Sequence, residues 1–386
     1  MTFDIIVVGG GPVGAAFALA AASGQCSVAI VEPAAPAEPT EKWDARIYAI
    51  SPSSVDALER CGAWDRIPQD RVMPVDVMRI EGDDGSSSMR FDAYESGVRA
   101  LTYIMEAGRL HSALWERVIA SAHVAVRTPC RPVALRHEPD RVVLHMDDGS
   151  SMSGRLIVGA DGAQSWVREQ AGIASDFHDY RQQGVVANFE CERYHEATAY
   201  QWFLGDSVLA LLPLPGRRVS MVWSSHEPLS SNLKAAEPEV LGQMVTDASR
   251  GVLGRLRPLA GAVGFPLRLR HVRRLVAPRV ALIGDAAHNV HPLAGQGVNL
   301  GFRDARELAD LLNRRGPESD CGDIHLLRRF ERARREDIAA MQATTHMLGK
   351  LFASRAVWLA KARNWGLARF DGQRALKRLL VAHAIG

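Results

Sequence analysis

Near its start the chain sets four apolar residues in succession, Ile5-Ile6-Val7-Val8, directly after Asp4. An unbroken apolar run closed by glycine predicts a strand buried on both faces. The alanine-rich stretch Ala15 to Ala22 predicts a helix that Gly24 ends, and Ser27 to Val31 predicts a second strand. Together these make one βαβ unit over residues 4–32, and the Pro/Ala stretch at 33–39 reads as a loop. Val75 to Phe91 reads as a hairpin turning at Gly82-Asp83-Asp84-Gly85. Helical spacing runs from Leu110 to Ala122. Val142 to Met146 and Leu156 to Val158 then bracket the turn signal Asp147-Asp148-Gly149. Residues 184–225 change character. They are rich in β-branched and aromatic residues, with Pro213-Leu214-Pro215-Gly216 as a turn, and read as sheet. Val280 to Ile283 is a further short buried strand, and a long helical stretch follows from about Asn299.

The order of these elements is interleaved, which predicts an α/β fold built from non-contiguous pieces. Nucleotide-binding segments fall near 1–70, 100–180 and 276–340. Sheet segments at 71–99 and 181–275 form a second, substrate-bearing domain, and 341–386 is a helical tail. A chain of 386 residues supports a core of this size. Its formal charge of +2 supplies no field to hold a phosphate backbone, so nucleic acid is not an expected partner. Cys26, Cys61, Cys130, Cys191 and Cys321 are scattered without metal-ligand spacing, as in a reducing cytoplasm. There is no basic leader before an apolar stretch, and no apolar run reaches the ~18–20 residues of a spanning helix.

Gly9-Gly10-Gly11-Pro12-Val13-Gly14 matches G-x-G-x-x-G between a strand and a helix. Gly9 permits the tight turn, Gly11 lets backbone approach a pyrophosphate, and Gly14 lets the helix pack close. Glu32 ends the second strand, where an acid can bind ribose hydroxyls. The fingerprint predicts a dinucleotide and does not separate FAD from NAD.

Two later blocks narrow the choice. Val158-Gly159-Ala160-Asp161-Gly162-Ala163-Gln164-Ser165, with Arg168 after it, is a strand followed by an Asp-Gly turn. Gly284-Asp285-Ala286-Ala287-His288 leads through Pro292 and Gly295-Gln296-Gly297 into a helix at Val298-Asn299. Asp285 can accept hydrogen bonds from a polyol such as a ribityl chain. The Gly295–Gly297 run lets backbone N–H groups approach a flat ring. The helix start that follows would favour negative charge on that ring by ~0.3–1 kcal/mol. His288 and His291 stand three apart, but no companion acid or cysteine set makes a metal site, so no metal is expected.

The three blocks in this order resemble the FAD-dependent aromatic hydroxylases, the class A flavoprotein monooxygenases. Closer wording resembles the ubiquinone-biosynthesis hydroxylases that act on polyprenylated phenols. That wording lies in Asp44-Ala45-Arg46-Ile47-Tyr48-Ala49-Ile50-Ser51, in Leu211-Leu212-Pro213-Leu214 with Val222-Trp223-Ser224, and in the 284–301 block. It continues to the closing Lys377-Arg378 and Ala384-Ile385-Gly386. The resemblance implies a Rossmann-like, glutathione-reductase-like FAD-binding domain with an interleaved mixed-sheet substrate domain. It places the ADP half of FAD on Gly9, Gly11, Pro12, Val13, Gly14 and Glu32, and the flavin near Arg46. Arg109 becomes a candidate cofactor contact, although the preceding Glu106-Ala107-Gly108 departs from the family wording. Asp161 belongs to a motif tied to the pyrophosphate and to NAD(P)H. Asp285 is assigned to the ribityl chain, with Pro292, Gly295, Gln296, Gly297, Val298 and Asn299 around the ring.

One dinucleotide fingerprint for two dinucleotides implies that NADH or NADPH binds transiently as co-substrate, with O2 as the oxidant. The difficult chemistry then belongs to the cofactor, which fits the absence of any nucleophile–base constellation. The tail carries Lys350, Arg355, Lys361, Arg363, Arg369, Arg374, Lys377 and Arg378 against Asp371, interleaved with Leu351, Phe352, Trp358, Leu359, Trp365, Phe370, Leu379 and Leu380. Two readings stand side by side: a surface for the inner membrane or a biosynthetic complex, and helices packed on the main body. A hydroxylase of a soluble phenol and a non-catalytic FAD-binding scaffold are the alternatives.

Overall fold

The computed structural model of the protein describes residues 2–24, 26–84, 86–289, 297–316, 319–353 and 381. The strand Thr2–Val8 lies at the heart of an eight-stranded sheet. It pairs in parallel with Val28–Val31 on one side and Ser151–Gly159 on the other. Val124–Arg127 and Val280–Leu282 extend the parallel order outward. The four apolar residues of the first strand are buried, as a run covered on both faces requires. The helix Pro12–Ala22 begins three residues before the alanine-rich stretch, because Pro12 suits a first helical position. Apart from Phe17 its buried residues are glycine and alanine. Small side chains let it sit between the sheet and the helices Ala107–Ile119 and Gly297–Asn313.

A second, nine-stranded sheet contains Ser175–Cys191, Thr198–Leu204, Ser207–Leu214, Arg218–Ser225 and Val263–Val272. Ser175–Cys191 is a single strand of 17 residues, so this sheet starts before residue 181. The expected hairpin is present as Val77–Glu81 and Ser88–Asp92, but Val75 is not part of it. Met73–Val75 instead joins Thr102–Glu106 and Ile47–Ile50 in a three-stranded sheet, and the chain steps away at Asp76, whose amide bonds the Ala197 carbonyl. That small sheet separates the two large ones. Ile47 and Ala49 face the second sheet, while Tyr48 packs against the core of the first.

Register decides which side chains of the second sheet face inward. Val185, Ala187, Phe189, Met221, Trp223, Leu209 and Leu211 share a core with the helix Pro238–Ala248. The alternate residues, Gly184, Val186 and Asn188 with Ser220, Val222 and Ser224, point to the opposite face, where Asn188 bonds the Asp44 carbonyl beside the small sheet. Among the described residues no helix is long and apolar enough to cross a membrane.

Candidate cofactor and substrate cleft

The first wall of the cleft is the turn after Thr2–Val8. Gly9 sits at φ +103°, and a Cβ there would lie 2.5 Å from the Ala160 carbonyl oxygen, so only glycine fits. A Cβ on Gly14 would come within 2.1 Å of the Gly9 carbonyl oxygen. Gly11, by contrast, opens onto empty space, and no side chain caps the helix it precedes. Packed glycines beneath and an open, uncapped helix start above make a cradle for an anionic group. Glu32 accepts the Gly10 amide and, at 3.2 Å, the Ala34 amide. His111, which sequence reasoning missed, bonds the Gly10 carbonyl at 2.9 Å. Burial lowers the His111 pKa, so the ring is neutral and its Nε2–H donates. Its signal was faint: a lone histidine on the inner face of a helix remote in sequence.

The second wall comes from the other two blocks. Gly284 stands at φ +60° with Val13 against it, and a Cβ on Gly301 would meet Val13 Cγ2 at 2.6 Å. The first and last motifs are therefore in contact. Asp285 is accessible from the cleft. The protein packed around it pushes its carboxyl pKa up, against the opposing pull of His288 and Arg46. Tyr48 looks into the same space, with the Arg46 guanidinium 5.3 Å from its ring centroid.

Asp161 turns back on its own chain. One carboxylate oxygen accepts the Val167 amide at 3.0 Å, and burial raises its pKa. Its neighbour Arg168, fully buried, donates to the carbonyls of Ala163 and Ala286, each at 3.0 Å. The Asp-Gly block is thus stitched to the Gly-Asp block. Arg109 donates to Glu106 and to the Thr40 carbonyl, both at 2.8 Å. Buried Glu106 also takes Arg71 and the Asp44 amide, and the Asp44 carboxylate receives the amides of Arg46 and Gly108. Arg109 therefore braces the turn that carries Arg46. Asn299 is buried and bridges the Ala49 carbonyl and the Ser51 amide at 2.8 and 2.9 Å. Gly297 and Val298 open its helix and are half-buried. Pro292, Gly295 and Gln296 lie outside the described residues, as does His291.

Facing these walls is the inward side of the second sheet. Val208, Ala210 and Val222 are part-exposed there, and Gly184 adds no side chain. Asn188 ties this sheet to the cleft rim by donating to the Asp44 carbonyl at 2.8 Å. His288 is engaged by Asp304, and among the described residues no cluster of histidine, cysteine and acidic side chains could hold a metal ion.

Comparison with known proteins supplies the family. A family model described as FAD binding domain matches residues 2–345. The chain is 35% identical over 387 residues to the ubiquinone hydroxylase UbiL of Rhodospirillum rubrum, covering 99% of this chain and 89% of that one. It is likewise 35% identical to the 3-demethoxyubiquinol 3-hydroxylase of Escherichia coli, covering 99% and 98%. Among solved structures, p-nitrophenol 4-monooxygenase PnpA of Pseudomonas putida superposes with a TM-score of 0.78 at 18% identity, covering 100% and 99%.

Proposed function

The chain belongs to the FAD-dependent hydroxylases of ubiquinone biosynthesis, and from that premise we propose that it hydroxylates the ring of a polyprenylated phenol, using NAD(P)H and O2. The observation that carries the substrate class is the asymmetry of the cleft. One side offers backbone N–H groups and acids, and the other a shallow apolar sheet face.

Gly9, Gly11, Pro12, Val13, Gly14 and Glu32 would hold the ADP half of FAD. Asp285 would hold the ribityl chain, Arg46 would lie near the flavin, and Gly297, Val298 and Asn299 would stand at its edge. When bound there, FAD supplies the chemistry no side chain provides, accepting hydride from NAD(P)H and activating oxygen. The remaining work falls to this chain's residues. Val208, Ala210 and Val222 present an apolar floor against which a ring can lie flat. A floor of this kind would shield the reacting ring from water. Arg46, held by Asp44 and Ala107, keeps positive charge at the rim. Asp161 and Arg168 hold the Asp-Gly and Gly-Asp turns in register, where the transient dinucleotide would pass.

A substrate with a polyprenyl chain is held in a bilayer, so this reading places the protein at the inner face of a membrane or in a complex there. The basic tail of residues 347–386, mostly outside the described residues, is the segment proposed to make that contact. Mass spectrometry of the quinone pool in cells lacking the gene tests the function. Loss of ubiquinone with accumulation of a polyprenylated phenol one hydroxyl short is the expected result. An unchanged pool, with no paralogue compensating, overturns it.

A further inference from the structure

Asp304 lies on the helix Gly297–Asn313 and is wholly buried. One of its carboxylate oxygens accepts both the Gly284 amide, at 3.0 Å, and the His288 ring. The other accepts Arg334 Nε at 2.7 Å. Arg334 belongs to the helix Ile324–Ala353, and its Nη1 donates to Asp337 at 2.7 Å. Burial alone would raise the Asp304 carboxyl pKa, but His288 and Arg334 outweigh it and keep the group ionised. An anion in so dry a site persists only where charged partners and hydrogen bonds compensate its burial, as His288, Arg334 and the Gly284 amide do here.

The geometry of the turn gives this carboxylate a purpose. Gly284 and His288 flank Asp285, and both are anchored on Asp304. Ala286, between them, is anchored through its carbonyl on Arg168. Three of the five residues from 284 to 288 are therefore fixed by two buried charged side chains. The Asp285 side chain is left directed at the cleft, with no hydrogen-bond donor among the described residues.

We infer that Asp304 is a positioning residue, through which the Ile324–Ala353 helix holds the turn that aims Asp285 at the cofactor. The inference rests on the reading that Asp285 binds FAD. It makes the Ile324–Ala353 helix, remote in sequence from the fingerprint, a determinant of cofactor affinity. Asn at 304 would keep the shape but present a donor NH2 where a donor already stands. Lys at 334 would keep the charge but could not fork between Asp304 and Asp337.

The test measures two quantities on purified apoprotein: the FAD dissociation constant, by fluorescence titration, and the melting temperature without FAD. Asp285→Asn is the control for the reading on which the inference rests, and Asp304→Asn and Arg334→Lys test the inference itself. Asp285→Asn and Asp304→Asn should each weaken FAD about tenfold or more, the size of one lost charged hydrogen bond. Arg334→Lys should weaken it about threefold while the apoprotein melts near the wild-type temperature. If Asp285→Asn weakens FAD while both other variants bind it as wild type does, the inference is overturned and the cofactor reading stands. If Asp285→Asn leaves FAD affinity unchanged, the cofactor reading itself fails at this residue. Should Asp304→Asn not fold, Arg334→Lys decides: weaker FAD supports the positioning role, and wild-type affinity rejects it.

Discussion

The two sides of the cleft are built on opposite principles. On the dinucleotide side, function depends on the absence of side chains: Gly9, Gly14, Gly284 and Gly301 are each in contact with backbone or with Val13. On the sheet side, the proposed function depends on which side chains are present and how large they are, with Val208, Ala210 and Val222 as the proposed floor. The first wall, proposed to hold FAD through backbone geometry, has almost no room for change. The second meets a substrate through volume, and volume can be altered without unfolding the sheet.

The most damaging change should therefore lie on the glycine side. Gly14→Val would drive a branched side chain into the Gly9 carbonyl, where even a Cβ would stand at 2.1 Å. Overpacking of this kind costs roughly 1–3 kcal/mol, occasionally more, and here the displaced atoms are those proposed to cradle the pyrophosphate. The purified variant should carry no FAD and melt several degrees lower. A yellow, fully loaded Gly14→Val protein would contradict the idea that the two walls differ in tolerance.

Ala210→Phe sharpens the contrast from the other side. Ala210 pairs across the strands with Val222 on the inward face. An aromatic ring there fills the floor without touching the fingerprint. The specificity constant for the phenol should fall on the order of 100-fold, while FAD affinity and apoprotein stability stay near wild type. Equal losses in FAD binding and turnover would mean that the two walls are not independent.

The same contrast explains what was legible in the sequence. The fingerprint wall could be read because its requirements are local: a strand, three glycines and an acid must follow at fixed spacing. The Gly284–Asp285 block was legible for the same reason. Asp304, His111 and Glu106 were not, because each acts on a turn far away in the chain. His111 reaches Gly10 across 101 positions, and Arg334 reaches Asp304 across 30. The sheet floor was hidden differently. Residues 184–225 announced strands, but the choice between Val185 and Val186 as the inward residue depends on register and on which face the helix Pro238–Ala248 covers. Val75 was misassigned because a three-residue strand in a third sheet leaves no periodicity to read.

The smallest effect is also the one that separates binding from stability on the cofactor side. Desolvation by the protein packed around it raises the Asp285 pKa above its unfolded value of about 3.9. An acid whose folded pKa is raised is harder to ionise in the native state than in the unfolded chain. Its ionisation therefore subtracts stability from the apoprotein, beginning as pH rises past the unfolded pKa and complete above the folded one. Asp285→Asn removes that cost. Without FAD, the variant should melt slightly higher than wild type at pH 7, and the gap should close as pH falls below about 4. A melting temperature at pH 7 below that of wild type would mean that Asp285 makes a favourable native contact in the apoprotein. The carboxylate would then no longer be a group whose desolvation cost FAD binding offsets. The expected result is a residue that weakens the empty fold and strengthens the loaded one, the trade expected where a partly desolvated charge is kept for a ligand.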